Sequence, residues 1–418
     1  MNGNKKLTKV KPNRSRKRGT AAAVRKAGNG HNSELFIKIA FYVLVAAYGA
    51  LCFYLFYHQS IQSTSPDNHY FESDLPFHIS MVVDDGWYYS LTAFIYLALY
   101  RITGGGTVLI ALFLAIVSAA TVVATKKLLD KIMPGEGVVS YGAALALNLV
   151  MPFFIKWAGM YRYVSYQSGN VWHNSTYICM RLLAVIFLIF FAEYEKRYME
   201  RGLNVKEWIV LAVLLALTTF VKPSFLTVFA PALAIKLLYD LIKNKIRFIR
   251  VFLMGLTVVP SLGVMLWQNS VLFGDDTSNG FKLSFMETFS LHADHPKITV
   301  LLSLAFPIVV FVTDLILRGK FWKDRCYVFS LIMAVVGFGE AVLLVETGSR
   351  SRDGNFLWGY CLALFILYIT GFKRWYGFLK NRKWIAAGIG GAVFVYQIVC
   401  GAIFLTRLMA GETYFMIG

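Results

Sequence analysis

The stretch FESDLPFHISMVVDDGWYYS, residues 71–90, gathers acids and a histidine between two long apolar runs. Its titratable side chains are Glu72, Asp74, His78, Asp84 and Asp85. A carboxylate can remove the proton of an acceptor hydroxyl, and a histidine four residues further along a helix would lie on the same face. Asp74, followed by apolar neighbours that would reduce its hydration, is the predicted general base, with His78 as its catalytic neighbour.

Helix capping is the alternative interpretation of the same acids. Asp74 lies two residues before Pro76, an arrangement typical of a helix start. Asp84 and Asp85 precede a tyrosine-rich apolar run, and capping of that run explains them better than ligand binding does. Glu72, Asp84 and Asp85 nevertheless remain candidate substrate-binding residues.

Further candidate binding residues flank or lie within other apolar runs: Arg162, His173, Asn174, Lys222, Glu340, Arg350 and Arg352. The cations at the ends of runs suit the phosphate of a lipid carrier, although snorkelling at the interface explains them equally well. His173 and Asn174 either contact a sugar or cap the following helix. Glu340 lies inside an apolar run, where an acid is costly and usually functional.

The composition predicts a membrane protein that positions these residues on helices. Of 418 residues, 57% are hydrophobic, and apolar windows long enough to cross a bilayer recur along the chain. The formal net charge of +19 does not indicate nucleic-acid binding, because much of it lies in the N-terminal tail and in short loops between apolar runs. The five cysteines show no CxxC spacing, so neither disulfides nor a cysteine-bound metal is expected.

Two regions follow from the charge pattern. Residues 1–33 are predicted to form a disordered, basic cytoplasmic tail held near anionic membrane lipids. Residues 34–418 are predicted to form one transmembrane domain, which is the part of the chain that the resemblance described below concerns. The first apolar run, residues 35–57, is too long for the core of a signal peptide and is interpreted as the first transmembrane helix.

The number of spans depends on residues 87–106. If this segment crossed the membrane, five basic loops would lie outside, against the positive-inside rule. We therefore predict a helix in the membrane interface, over residues 87–101, within the first outer loop. The fold class is then an all-α bundle of about eleven spans. Their predicted limits are 35–57, 106–125, 137–156, 176–193, 207–221, 224–240, 249–270, 298–317, 326–345, 355–372 and 385–406.

This topology has one consequence for function. The N-terminus is predicted to be cytoplasmic and the C-terminus extracytoplasmic, in a multi-pass protein of the cell membrane. Every candidate site residue then belongs to the outer side of the membrane. A metal site built from His292, Asp294 and His295 is considered but fits no strong motif, so a solvated loop is the better interpretation.

The stretch ESDLPFH, the following YYSLTAFIYLALYRITGGG with the span after it, and LTTFVKPSFL together resemble the GT-C superfamily of glycosyltransferases. The resemblance is to the protein O-mannosyltransferase and aminoarabinose transferase type. It implies a polyprenyl-phosphate sugar donor, an active site at the outer face, and a glycan or lipid acceptor. The second outer loop offers Arg162, His173 and Asn174 rather than the second acid of many relatives, which leaves a divalent cation open. The chain also shows no soluble C-terminal domain of the oligosaccharyltransferase kind, so a protein-sequon acceptor is not expected.

The sequence is also compatible with two other functions. A flippase or exporter of lipid-linked saccharide would show internal repeats and polar or broken helices near the midplane, and no clear repeat is present. A polysaccharide polymerase or ligase would perform a related transfer on the same class of carrier. The partners expected in each case are a polyprenyl-phosphate-linked sugar, a glycan or lipid acceptor and membrane lipids, without nucleic acid.

Overall fold

The computed structural model describes residues 15–62, 70–159, 161–162, 165–274, 280–348 and 353–414. The chain divides into two units, Met1–Leu44 and Val45–Gly418, and the contacts below belong to the second. The helices of the described residues are α1 Ser15–Ile61, α2 Leu75–Val83, α3 Leu91–Ile102, α4 Val108–Ile132, α5 Gly137–Leu147, α6 Ser175–Arg201, α7 Val205–Val221, α8 Ser224–Ile242, α9 Phe248–Gly255, α10 Val259–Phe273, α11 Glu287–Ser290, α12 Pro296–Ser303, α13 Ala305–Ile316, α14 Arg325–Leu343, α15 Asn355–Lys380 and α16 Trp384–Met409.

The predicted all-helical membrane class is confirmed. Within the described part of the chain, eight helices are long and apolar enough to cross a membrane, or nine if the bent pair α12 and α13 is one span. The remaining secondary structure there is a short antiparallel pair, β1 Phe281–Leu283 with β2 Leu344–Glu346, and two single 3₁₀ turns.

The third predicted span, residues 137–156, is wrong as a continuous helix. α5 ends at Leu147, and the described residues between it and the start of α6, 148–159, 161–162 and 165–174, form no helix. It passes against α16 at Gly401, where an added Cβ would lie 1.4 Å from the Leu149 carbonyl oxygen. The Met151 amide also donates to the Gln397 carbonyl of α16, at 3.1 Å. A glycine is therefore required on α16 where the broken segment crosses it.

Most of the described residues of this irregular segment are buried, although Lys156 and Trp157 are exposed, so the buried backbone polar groups need partners inside the protein. The Asn170 side-chain amide donates to the carbonyls of Leu147 and Val150, at 2.9 and 2.8 Å. The buried Arg181 guanidinium of α6 donates to the Gly169 carbonyl at 2.9 Å and to the Asn170 side-chain oxygen at 2.7 Å. These side-chain hydrogen bonds take the place of the helical backbone hydrogen bonds that end with α5 at Leu147.

One end of the bundle is held together by ion pairs between the predicted basic loops. Glu207 at the start of α7 accepts from Arg197 and Arg201 at the end of α6, at 2.7 and 2.6 Å. Other pairs join Lys380 of α15 to Glu136 before α5, Lys373 of α15 to Asp324 before α14, and Arg374 of α15 to Asp314 of α13. The chain segments predicted to be cytoplasmic thus meet at one end.

The opposite end contains α3. Its 12 residues extend about 18 Å, short of the roughly 30 Å hydrocarbon thickness that a spanning helix must cross. Ser90 caps this helix, since its hydroxyl accepts from the Ala93 amide at 3.2 Å. The expectation that Asp84 or Asp85 caps it is therefore wrong: Asp84 is the C-cap residue of α2 instead. The Gln268 side chain ties this end together by donating to the carbonyls of Tyr89 and Phe220, both at 3.0 Å.

Candidate functional site

Asp74 directly precedes α2, yet its side chain does not cap that helix. One carboxylate oxygen accepts from the Asn174 side-chain amide at 2.7 Å, and the other lies 3.4 Å from the Tyr414 hydroxyl. The Asp74 backbone amide donates to the His173 carbonyl at 3.2 Å. The capping alternative for the Asp74 side chain is wrong. The carboxylate is directed instead at the segment that leads into α6.

Asn174 is the residue that orients this carboxylate. It is buried and extended (φ −103°), and its side-chain oxygen accepts from the Tyr177 amide and the Thr176 hydroxyl, both at 2.9 Å. Because both acceptor bonds occupy the amide oxygen, the NH₂ group is left to face Asp74. The predicted capping role of Asn174 is confirmed, while its contact with a sugar stays a prediction.

His173 forms an aromatic wall beside Asp74. Its ring stacks on the Tyr414 ring, with centroids 4.1 Å apart and planes 14° apart, and lies 5.8 Å from the Trp358 ring. Burial, and to a smaller extent the nearby charge of Lys222, lower the pKa of His173 from 6.5 to about 3. The imidazole is therefore neutral at physiological pH, and it acts here as a flat, uncharged surface.

Lys222 supplies the cation of the cluster. It is the C-cap residue of α7, where extended backbone and the following Pro223 separate α7 from α8. Its ammonium donates to the Thr176 hydroxyl at 3.2 Å and lies 5.2 Å from the centroid of the Trp358 ring. A cation over an aromatic face is attracted to it, so these contacts keep Lys222 among the polar residues that precede and begin α6.

His78 lies one turn along α2 from Asp74, as the four-residue spacing predicts. Its amide donates to the Asp74 carbonyl at 2.9 Å, and its ring nitrogen Nδ1 is 2.9 Å from the Ser175 hydroxyl. Ser175 is the first residue of α6 and follows Asn174 directly. Asp74 and His78 therefore contact two successive residues at the same helix start.

Four residues of the network were not predicted from the sequence: Ser175, Thr176, Trp358 and Tyr414. Thr176 joins Asn174 to Lys222 through its hydroxyl. Trp358 near the start of α15 contacts His173 and Lys222. The only sequence signal for Trp358 and Tyr414 is an aromatic residue at the edge of an apolar run, which occurs at many membrane interfaces.

The other predicted site residues lie outside this network or at its border. Asp84 and Asp85 are exposed at the far end of α2. Glu72 is half-buried, and its charge acts on Tyr414. Arg162 lies over the Phe154 ring at 4.6 Å and close enough to Arg407 and Glu412 to interact with their charges. Arg350 and Arg352 lie outside the described residues.

Glu340 of α14 approaches the same end of the bundle from another side. Its carboxylate accepts from the Thr227 hydroxyl of α8 at 3.0 Å. A Cβ added at Gly359, the residue after Trp358, would lie 3.5 Å from that carboxylate. Glu340 is thus a neighbour of the Trp358 backbone, and the structure gives it a hydroxyl partner inside a span.

A group of three or more His, Cys, Asp or Glu side chains able to hold a metal ion does not occur among the residues described. The cluster combines a half-buried carboxylate, an amide that orients it, a neutral imidazole beside two aromatic rings, and an ammonium group. Such a set can accept a proton, hold a flat ring and bind an anion. Comparison of the sequence with protein-family models and with curated proteins found no match.

Proposed function

We propose that the protein is a membrane glycosyltransferase of the GT-C-like type, which moves a sugar from a polyprenyl phosphate to a glycan or lipid acceptor. The observation that carries the proposal is the meeting of Asp74 with Asn174 and, through Thr176, with Lys222. A base for a hydroxyl and a cation for a phosphate are the two groups that this reaction needs.

In the proposed reaction Asp74 accepts the proton of the acceptor hydroxyl while that oxygen bonds to the anomeric carbon of the donor sugar. The bond from the anomeric carbon to the phosphate oxygen breaks, and the polyprenyl phosphate leaves with the bonding electrons. Lys222 stabilises the charge on the leaving phosphate. Asn174 holds the carboxylate in position, and His173 with Trp358 forms an aromatic wall for the sugars.

The proposal includes a topology of about eleven passes, with the N-terminus cytoplasmic and the C-terminus outside the cell membrane. It is supported by the grouping of helix ends. Asp74, Lys222, Trp358 and Tyr414 belong to one end of the bundle, and the ion pairs of the basic loops belong to the other. The short α3 then lies in the interface, and the broken segment after α5 completes the third pass.

A second function, a flippase or exporter of lipid-linked saccharide, is favoured by one observation. The irregular segment after α5, with the buried Arg181 beside it, is a broken helix of the kind that lines transport pathways. Neither the exposed basic loops nor the Asp74 cluster is a feature that a transport function needs. A polymerase or ligase acting on the same class of carrier would use the Asp74 chemistry unchanged.

Reconstitution in liposomes separates these functions. The purified protein is incubated with a panel of radiolabelled polyprenyl-phosphate sugars and with glycan or lipid acceptors. The proposal predicts label on the acceptor and release of free polyprenyl phosphate in equal amounts. Movement of intact labelled donor between leaflets, without release of the phosphate, would instead establish the transport function and refute the proposal.

A further inference from the structure

The chain beyond α16 turns back onto the candidate site. Gly411 has φ +93°, and its carbonyl accepts from the Phe71 amide at 2.8 Å. A Cβ at this position would lie 3.2 Å from the Phe71 ring, so a glycine suits both the turn and the close approach. Glu412 is paired with Arg407 of α16 at 2.6 Å. Residues 410–414 are therefore fastened beside the segment that carries Asp74.

This turn brings Tyr414 between the proposed base and the His173 ring. The phenol hydroxyl lies 3.4 Å from one Asp74 oxygen, while the ring stacks on His173 at 4.1 Å. Burial raises the pKa of the Tyr414 phenol, and the charges of Asp74 and Glu72 raise it further. Tyr414 thus offers a protonated hydroxyl to the carboxylate and a flat ring to the imidazole.

We propose that Tyr414 occupies the acceptor subsite, and that its side chain must withdraw before an acceptor binds. The acceptor of this subsite is a pyranose sugar, whose flat apolar face stacks on His173 and whose hydroxyl faces Asp74. This inference rests on the proposed function, because it assigns the acceptor end of that reaction. A sugar in this position takes over these two contacts: one of its hydroxyls replaces the phenol hydroxyl at Asp74, and its apolar face replaces the Tyr414 ring on His173.

The contacts of Tyr414 are suited to exchange. Hydroxyl–carboxylate bonds are usually 2.5–2.7 Å long, so the 3.4 Å contact with Asp74 is weak. The stacking on His173 is of a kind worth about 0.5–1.5 kcal/mol between aromatic rings. An acceptor that restores both contacts can therefore take the place of the Tyr414 side chain, while the Phe71–Gly411 hydrogen bond and the Arg407–Glu412 ion pair hold the turn.

Steady-state kinetics of Tyr414→Ala and Tyr414→Phe test the subsite, with Tyr239→Ala as a control on an exposed tyrosine of α8. Removing the ring should lower the acceptor KM by about 2- to 10-fold, the range of one aromatic pair, without changing the donor KM. The phenylalanine variant keeps the stacking and should show a smaller decrease. A loss of kcat in both variants would instead make Tyr414 part of the catalytic machinery and overturn the proposal.

A chemical measurement tests closure without any transfer assay. Diethyl pyrocarbonate should modify His173 faster in Tyr414→Ala than in the wild type, as followed by mass spectrometry of its peptide. Equal rates would overturn the closure. If His173 is modified faster in Tyr414→Ala, and this variant transfers sugar with an unchanged acceptor KM, the assignment of the acceptor subsite is overturned. The glycosyltransferase proposal would stand in that case. No transfer by the wild type to any sugar acceptor, with faster modification, would refute the proposed function and the subsite with it.

Discussion

Replacement of Gly401 by alanine should destabilise the protein strongly, because this glycine makes room for the broken segment that leads to His173 and Asn174. The added Cβ would lie 1.4 Å from the Leu149 carbonyl oxygen, whereas ordinary contacts begin at 3.4 Å. α16 or residues 148–151 must therefore move by about 2 Å. Overpacking costs about 1–3 kcal/mol, and losing the buried Met151–Gln397 hydrogen bond about 1–3 kcal/mol more.

The expected loss for Gly401→Ala is thus about 2–6 kcal/mol of unfolding free energy. It can be measured by titration with sodium dodecyl sulfate in mixed micelles, followed by circular dichroism. Gly388→Ala is the matched control on the same helix, since a Cβ there meets no atom within 4 Å. The control should be neutral or stabilising, by up to about 1 kcal/mol. Equal stability of the two variants would refute the crossing of α16 by the broken segment.

Three further predictions concern the cation of the site, the protonation of His173 and the membrane topology. Lys222→Met should raise the donor KM by about 10- to 150-fold, the worth of a charge-assisted bond, whereas the exposed Lys297→Met should leave it unchanged. Because burial lowers the pKa of His173 to about 3, its contribution to stability is complete above pH 6.5 and falls by about 1.4 kcal/mol per unit towards pH 3. His173→Phe should therefore flatten the curve of unfolding free energy against pH in this window. Finally, an impermeant thiol reagent should label Ile102→Cys only from outside cells and Val205→Cys only from the cytoplasmic side, and the reverse result would contradict the proposed topology.

The helical membrane class could be predicted because apolar windows of spanning length are a local property of the sequence. The short helix α3 overlaps the segment predicted to be a helix, while its position in the membrane interface stays a prediction from the charges of the later loops. The break after Leu147 could not be predicted, since residues 137–156 are apolar enough for a continuous helix. The chain departs from the helix because the Asn170 side chain and the α16 backbone near Gly401 offer other hydrogen-bond partners. Hydrogen bonds between residues more than 200 positions apart leave no periodic pattern in the sequence.

The candidate site also has a part that could be predicted from the sequence and a part that could not. Asp74 and His78 could be predicted as a pair because four residues make one helical turn. Their meeting with Asn174, Ser175 and Tyr414 depends on which helix ends lie together, and that follows from packing rather than from spacing. The predicted helix caps show the same limit of local sequence patterns. Asn174 caps α6, as its residue type and position indicate. Asp74 also lies at a helix start, but its side chain bonds to Asn174 across the bundle instead.

The measurement that tests the central claim most directly is transfer by the Asp74→Asn variant. Asparagine keeps the size of aspartate but cannot take the acceptor proton, so the turnover of a polyprenyl-phosphate sugar should drop by roughly 100-fold or more. Donor binding should change little, and the exposed Asp84→Asn should transfer as the wild type does. Near-normal transfer by Asp74→Asn, at matched expression in membranes, would contradict the assignment of Asp74 as the base.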